Sequence, residues 1–127
     1  RAVARARATH AIDPARIILT GFSQGGSMAF YVALRQPGLF AGVIPVAGFY
    51  EERLNPLPAS RPGAFPRFFI MNGARDEAAP NNRQVARALE ALGAAVELRV
   101  YNGVGHGFPP NPDPELRDAL RFVLGGT

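Results

Sequence analysis

The 127-residue sequence predicts an α/β domain, a mainly parallel sheet flanked by helices. Three observations predict it. Short apolar runs at 17–19, 43–47 and 68–71 have the length and composition of strands buried on both faces. Between and after them, apolar residues recur at helical spacing. The two kinds of segment follow one another as helix, strand, helix, strand, loop, strand, helix, strand, helix. Crossovers joining parallel strands in this way are right-handed in nearly all cases, and functional groups gather at the strands' C-terminal ends.

Residues 1–10 are rich in Ala and Arg and read as a helix, which Asp13-Pro14 ends. Ile17-Ile18-Leu19 is the first strand, and Gly21 to Gly26 the tight turn after it. Met28, Tyr31, Val32 and Arg35 then mark a helix that Pro37-Gly38 stops. Val43 to Ala47 is the second strand, although Pro45 inside it cannot donate to a ladder. Residues 51–66 hold Pro56, Pro58, Pro62 and Pro66 and read as an irregular loop, a place for a lid or a specificity segment. Phe68 to Met71 is the third strand. Val85, Leu89 and Leu92 mark a helix face closed by Gly93. Val96, Leu98 and Val100 alternate with Glu97, Arg99 and Tyr101, which predicts a strand with one wet face near the sheet edge. Asp113 and Pro114 read as the cap and first residue of a last helix, with an apolar stripe of Leu116, Ala119, Leu120, Val123 and Leu124.

Composition narrows the function. The apolar fraction of 47% and charged fraction of 19% are ordinary for one globular domain. No apolar stretch is long enough to span a membrane, and no signal peptide is visible. The chain has no Cys, which excludes disulfides, thiolate metal sites and thiol nucleophiles. The net charge is +4 and every basic residue is Arg. These arginines are spread along the chain with no nucleic-acid-binding motif, so a nucleic-acid partner is not expected.

The chemistry lies in three short segments. Gly21-Phe22-Ser23-Gln24-Gly25 matches G-x-S-x-G, in which a serine sits on a sharp, strained turn from strand to helix. Gly21 and Gly25 would remove side chains that collide across that turn. The hydroxyl then stands exposed, and the Gln24 backbone N–H beside it can serve as an oxyanion donor. A serine nucleophile needs a base. Of the two histidines, His10 ends the first helix and reads as a surface residue. His106 sits between glycines in a loop after the last strand, where flexibility would let an imidazole approach another backbone. The base needs an orienting carboxylate. Asp76, at the C-terminal end of the third strand, is the candidate. Glu77 beside it is the rival, and Asp113 is explained as a helix cap. A structural serine in a Gly-rich turn, a plain loop histidine and a turn aspartate are the bland readings of the same three residues. Their order, Ser23 then Asp76 then His106, is that of the α/β-hydrolases and differs from the chymotrypsin and subtilisin orders. Phe22, Phe49, Tyr50 and Phe108 lie beside these residues or after strand ends. They would wall a substrate pocket or pack in the core.

Gly21-Phe22-Ser23-Gln24-Gly25-Gly26 resembles the nucleophile segment of the phospholipase/carboxylesterase family, which includes acyl-protein thioesterases. Asn72-Gly73-Ala74-Arg75-Asp76-Glu77-Ala78-Ala79-Pro80 is similar to that family's acid loop, and Gly105-His106-Gly107 to its histidine loop. The resemblance runs from about Ile17 to Leu124. It implies Ser23 as nucleophile, Asp76 as acid and His106 as base. It implies hydrolysis of carboxylic esters or thioesters, without cofactor or metal. A small-molecule substrate is the first reading, and a cytoplasmic setting is expected. The family domain is longer on the N-terminal side, so residues 1–127 are expected to be the C-terminal part of a single α/β-hydrolase domain. The loop that gives the second oxyanion donor would lie in the absent part, and the first strand would present a bare edge. Such a fragment is expected to be marginally folded, dimeric (a homodimer) or catalytically weak. An esterase on plant or polymer esters and a dienelactone-hydrolase-like enzyme, which usually carries a Cys nucleophile, are alternatives within the fold. A binding domain that kept the fold without its catalysis is the alternative of another class.

Overall fold

A computed structural model describes residues 1–36, 38–52, 56–57 and 65–125 of the chain. Helix α1 covers Ala2–Thr9, and a 3-10 turn at Pro14–Arg16 leads into strand β1, Ile18–Phe22. There follow α2 (Gln24–Arg35), β2 (Gly42–Val46), β3 (Arg67–Gly73), α3 (Ala79–Ala91), β4 (Val96–Tyr101) and α4 (Pro112–Val123). The strands form one four-stranded sheet in the order β1-β2-β3-β4. Every neighbouring pair is parallel.

Alternate residues of the central strands feed two separate apolar layers, which is why those strands read as continuous apolar runs. Val43, Phe68 and Ile70 pack with Phe30 of α2 and with Val85 and Leu89 of α3. Ile44, Val46, Phe69 and Met71 pack with Ala119 and Val123 of α4 on the other side. Helices therefore cover both faces of the sheet. Phe30, Phe68 and Leu89 are fully buried, each worth about 1.5–3 kcal/mol relative to exposure. Gly42 lets α4 seat closely, because a Cβ there would overlap the side chain of Val123.

Pro45 does not break β2. Residue pairs join β2 to β3 at Gly42, Val43 and Val46, but not at Ile44 or Pro45. Val46 accepts on the β1 side from the Ser23 N–H, and the Ala47 N–H donates on the β3 side to Met71. By alternation the missing N–H of Pro45 faces β3, so the proline costs one rung of that ladder and leaves the β1 pairing whole.

The charged face of β4 is partly exposed, but it is not simply solvated. Arg99 donates to Glu97, and reaches Glu115 and Asp118 of α4 at 2.9 Å. Its guanidinium lies 4.9 Å from the centre of the Phe69 ring. The alternation of charged and apolar residues there is an ion-paired seam between β4 and α4. The last helix also starts earlier than expected. Asn111 is its cap position, which leaves Asp113 in the first turn, where it faces the positive end of the helix dipole. Leu120, expected on the apolar stripe, is 45% exposed. Most of the loop expected over 51–66 lies outside the described residues.

Candidate active site

The sequence at the end of β1 forces an unusual turn. β1 runs on through Phe22, and α2 begins at Gln24, so Ser23 alone makes the reversal. Its backbone stands at φ 59 and ψ −116, a region that L-residues occupy only under constraint, at about 1–3 kcal/mol. Two contacts hold it there. The Ser23 N–H donates to the Val46 carbonyl at 2.8 Å. A Cβ on Gly21 would overlap the Gly25 backbone, so strand end and helix start touch without side chains between them. Gly25 differs from expectation, since a Cβ there would meet open space. The tight second position is Gly26, whose Cβ would fall 2.9 Å from the Val46 oxygen. As the first residue of α2, Gln24 has a backbone N–H that no preceding turn uses.

The acid and the histidine come from neighbouring loops. After β3, the Ala74 and Arg75 N–H groups donate to Tyr101 and Val104, each at 2.8 Å. These bonds tie the loop after β3 to the loop after β4. Gly105 and Gly107, flanking the histidine, have open space where a Cβ would stand. The glycine that permits the close approach is Gly73.

The result is a chain of hydrogen bonds. Ser23 Oγ lies 2.8 Å from His106 Nε2, and His106 Nδ1 lies 2.7 Å from Asp76 Oδ2. Asp76 Oδ1 accepts from the Ala78 N–H at 3.0 Å, and Oδ2 also accepts from Asn72 Nδ2 at 3.1 Å. The Asp76 side chain is 7% exposed, whereas His106 is 51% exposed and faces the cleft. Burial pushes the Asp76 carboxyl up. The donors at Ala78, His106 and Asn72 outweigh it and hold the group below the usual carboxylate range. A hydroxyl aligned on one imidazole nitrogen, with a carboxylate on the other, is an arrangement for removing the hydroxyl proton as the oxygen attacks. Glu77, the rival acid, is exposed and lines the cleft.

A cleft of about 650 Å³ opens over this chain, lined by Ser23, Gln24, Phe49, Arg75, Asp76 and His106 among others. Of the four aromatic residues expected there, Phe49 lines it. Phe22 and Phe108 stack at 5.1 Å, and Phe22 also leans on the His106 ring at 5.4 Å. Both are exposed beside the cleft. Tyr50 is a correction. Its ring is 2% exposed and packs in the core on Phe30 and Tyr31. In the loop after β2, Phe49 is exposed and Tyr50 is buried. His10 caps α1, exposed, with Nδ1 2.8 Å from the Thr9 hydroxyl.

Two buried residues escaped sequence reasoning, Asn72 and Asn82. Both carried a signal. Asn72 interrupts an apolar strand, and Asn82 stands three residues before Val85 and seven before Leu89, on the buried face of α3. Among the described residues no group of three or more His, Cys, Asp or Glu side chains gathers as a metal site. No helix among them is long and apolar enough to cross a membrane.

Residues 1–119 match the model of the dienelactone hydrolase family. The acyl-protein thioesterase 1 of Gibberella zeae is 30% identical over 121 residues, covering 89% of this chain and 50% of that protein. Poly(3-hydroxyalkanoate) depolymerase C of Paucimonas lemoignei is 45% identical over 42 residues, 33% of this chain and 10% of the depolymerase. Among solved structures, that of esterase PE8 superposes with a TM-score of 0.72 at 28% identity, covering 91% of this chain and 56% of the esterase. The chain thus spans about half the length of the thioesterase relatives it matches. The thioesterase likeness agrees with the resemblance read from the three motifs. The family model is that of the reading placed second.

Proposed function

The chain belongs to the dienelactone hydrolase family, and from that premise we propose that it is a serine hydrolase cleaving carboxylic esters or thioesters through an acyl-enzyme. The observation that carries the reading is the unbroken link Ser23–His106–Asp76, at 2.8 and 2.7 Å, on a strained strand-to-helix turn. That these 127 residues hold no Cys supports Ser23, rather than a thiol, as the nucleophile.

In the first step Ser23 Oγ attacks the acyl carbonyl carbon while its proton passes to His106 Nε2. Asp76, bonded to Nδ1, holds the ring in the tautomer that presents a bare Nε2 and steadies the imidazolium that forms. The carbonyl oxygen becomes an oxyanion, and the Gln24 N–H is the donor that the turn itself offers it. The fold's usual second donor comes from a loop after an earlier strand. Collapse of the tetrahedral species expels the alkoxide or thiolate, which takes the proton from His106. Water then repeats the sequence on the acyl-enzyme, releasing the acid and restoring Ser23.

Phe49 in the cleft, with Phe22 and Phe108 beside it, supports an apolar acyl group on a small-molecule substrate. The similarity to an acyl-protein thioesterase supports an acyl group as the part recognised. A cytoplasmic setting and a second copy of the chain as partner belong to the same proposal.

The test is fluorophosphonate labelling of the purified chain beside Ser23→Ala, read by intact mass and peptide mapping. It is joined to hydrolysis of p-nitrophenyl esters graded from acetate to dodecanoate. A single adduct on Ser23, lost in the variant, is expected. Ester hydrolysis unchanged in Ser23→Ala, in protein free of contaminating esterase, overturns the reading.

A further inference from the structure

Behind the Ser23–His106–Asp76 link the hydrogen bonds continue inward. Asp76 Oδ2 is shared, accepting from His106 Nδ1 and from Asn72 Nδ2. Asn72, 1% exposed, uses its own oxygen to accept from Asn82 Nδ2 at 2.6 Å. Asn82, fully buried, directs the same amide nitrogen to the Gly48 carbonyl at 2.9 Å. Gly48 in turn packs on the backbone of Gly26 and Ser27, where a Cβ would overlap it. The path therefore runs from β3 through α3 to the loop after β2 and returns to the helix that begins at the nucleophile.

The orientation of both amides is determined. Turning Asn82 over would set its oxygen against two other oxygens, those of Asn72 and Gly48. Turning Asn72 over would set its oxygen against the Asp76 carboxylate. In the orientation that satisfies all three amide contacts, Asn82 Oδ1 is left buried without a hydrogen-bond partner among the described residues. Buried polar atoms are ordinarily satisfied, and an orphan of this kind calls for a reason. The reason here is that Asn82 is held for its donors. A neutral relay of this sort fixes Asp76 Oδ2 in place without adding a charge that would compete for the imidazole.

We infer that Asn72 and Asn82 are positioning residues for the reaction, a buried amide pair that aims the Asp76 carboxylate at His106 and ties it to the turn carrying Ser23. The inference rests on the serine-hydrolase reading above. Neither residue touches substrate, so both act through Asp76. The titratable group in contact with that carboxylate is His106. Arg75 and Glu77 flank it along the chain and line the cleft, and its other partners are the neutral Ala78 N–H and Asn72.

The experiment compares Asn72→Leu, Asn82→Leu and the double variant, with Ser23→Ala as control. The readouts are ester kcat and KM across pH, the rate of fluorophosphonate labelling, and the downfield proton resonance of the His106–Asp76 hydrogen bond. Asn72→Leu is expected to lower kcat and labelling roughly tenfold with KM little changed, the order expected when a reacting group leaves its productive geometry. The downfield resonance should move or broaden. The Asp76 carboxyl itself should titrate at higher pH, because a carboxylate one donor poorer holds a proton more readily. The double variant should cost no more than Asn72→Leu, since Asn82 acts through Asn72. If Asn72→Leu does not fold, Asn82→Ala, which removes the amide donors without burying a charge, reads the same link through the same three measurements. Wild-type kcat and an unmoved resonance in a folded variant, with Ser23→Ala inactive, overturn the relay alone. Activity persisting in Ser23→Ala overturns the parent reading instead.

Discussion

Gly73 and Gly105 touch backbone to backbone. A Cβ on Gly73 would overlap the carbonyl oxygen of Gly105, so the end of the acid-bearing strand lies directly against the loop that carries His106. Three residues beyond Gly73 stands Asp76, and one beyond Gly105 stands His106. The 2.7 Å bond between the two side chains is the outcome of that approach.

Gly73→Ala should therefore push the histidine loop away. Overpacking against backbone costs about 1–3 kcal/mol, and displacement of an imidazole by about 1 Å lowers turnover on the order of 10²-fold. Thermal melting and kcat/KM measured on the same preparation check both.

Ser23 carries backbone strain that folding does not require and that the proposed reaction would use. Ser23→Gly should be more stable than Ser23→Ala by about 1 kcal/mol, because glycine adopts φ 59 freely. Both should be inactive. Urea midpoints of the two variants decide this, and equal midpoints would place the strain elsewhere.

Asp76 links stability to acid. Its folded carboxyl is held below the ordinary value of 3.8. Stabilisation from its donors is then present above the unfolded value and lost as pH falls through the folded one. The wild-type chain should lose stability below about pH 4 more steeply than Asp76→Asn, in urea titrations between neutral pH and pH 3. At neutral pH the same substitution should lower kcat by about 10⁴, because a neutral amide imposes the wrong imidazole tautomer.

Arg99 joins β4 to α4 through Glu97, Glu115 and Asp118, with its side chain 30% exposed. Arg99→Lys should recover little of the stability lost in Arg99→Ala, since a single ammonium cannot reproduce the planar fork that meets several carboxylates and a ring face. Each loss should be on the order of 1–2 kcal/mol. Melting in low and high salt separates the ionic share from the packing on Phe69.

Much of the site was legible because its rules are local. Gly21 and Ser23 stand at the spacing of a strand-to-helix turn, and the close approach of Gly21 to the backbone of Gly25 leaves few other conformations, while the second tight glycine proved to be Gly26 and not Gly25. The order Ser23, Asp76, His106 follows from strands that end in loops on one side of a parallel sheet. The alternation of apolar segments likewise determined the layers, because a strand covered on both faces must be apolar throughout.

What the tertiary structure decided depends on residues far apart in the chain. Arg99 alternates with apolar neighbours as a solvent-facing residue would, yet three carboxylates surround it, two of them from a helix 16 and 19 residues away. Tyr50 follows Phe49 by one position, yet one ring lines the cleft and the other packs in the core. Asn72 and Asn82 look like turn or surface residues by type, and their bond forms only when β3 and α3 pack together. Sequence by itself determined the elements, the strand-to-helix turn at Ser23 and the order of Ser23, Asp76 and His106, because short-range sterics and hydrophobic periodicity act along the chain. Their partners were decided by packing, because a buried hydrogen bond depends on which distant atoms the core leaves within about 3 Å.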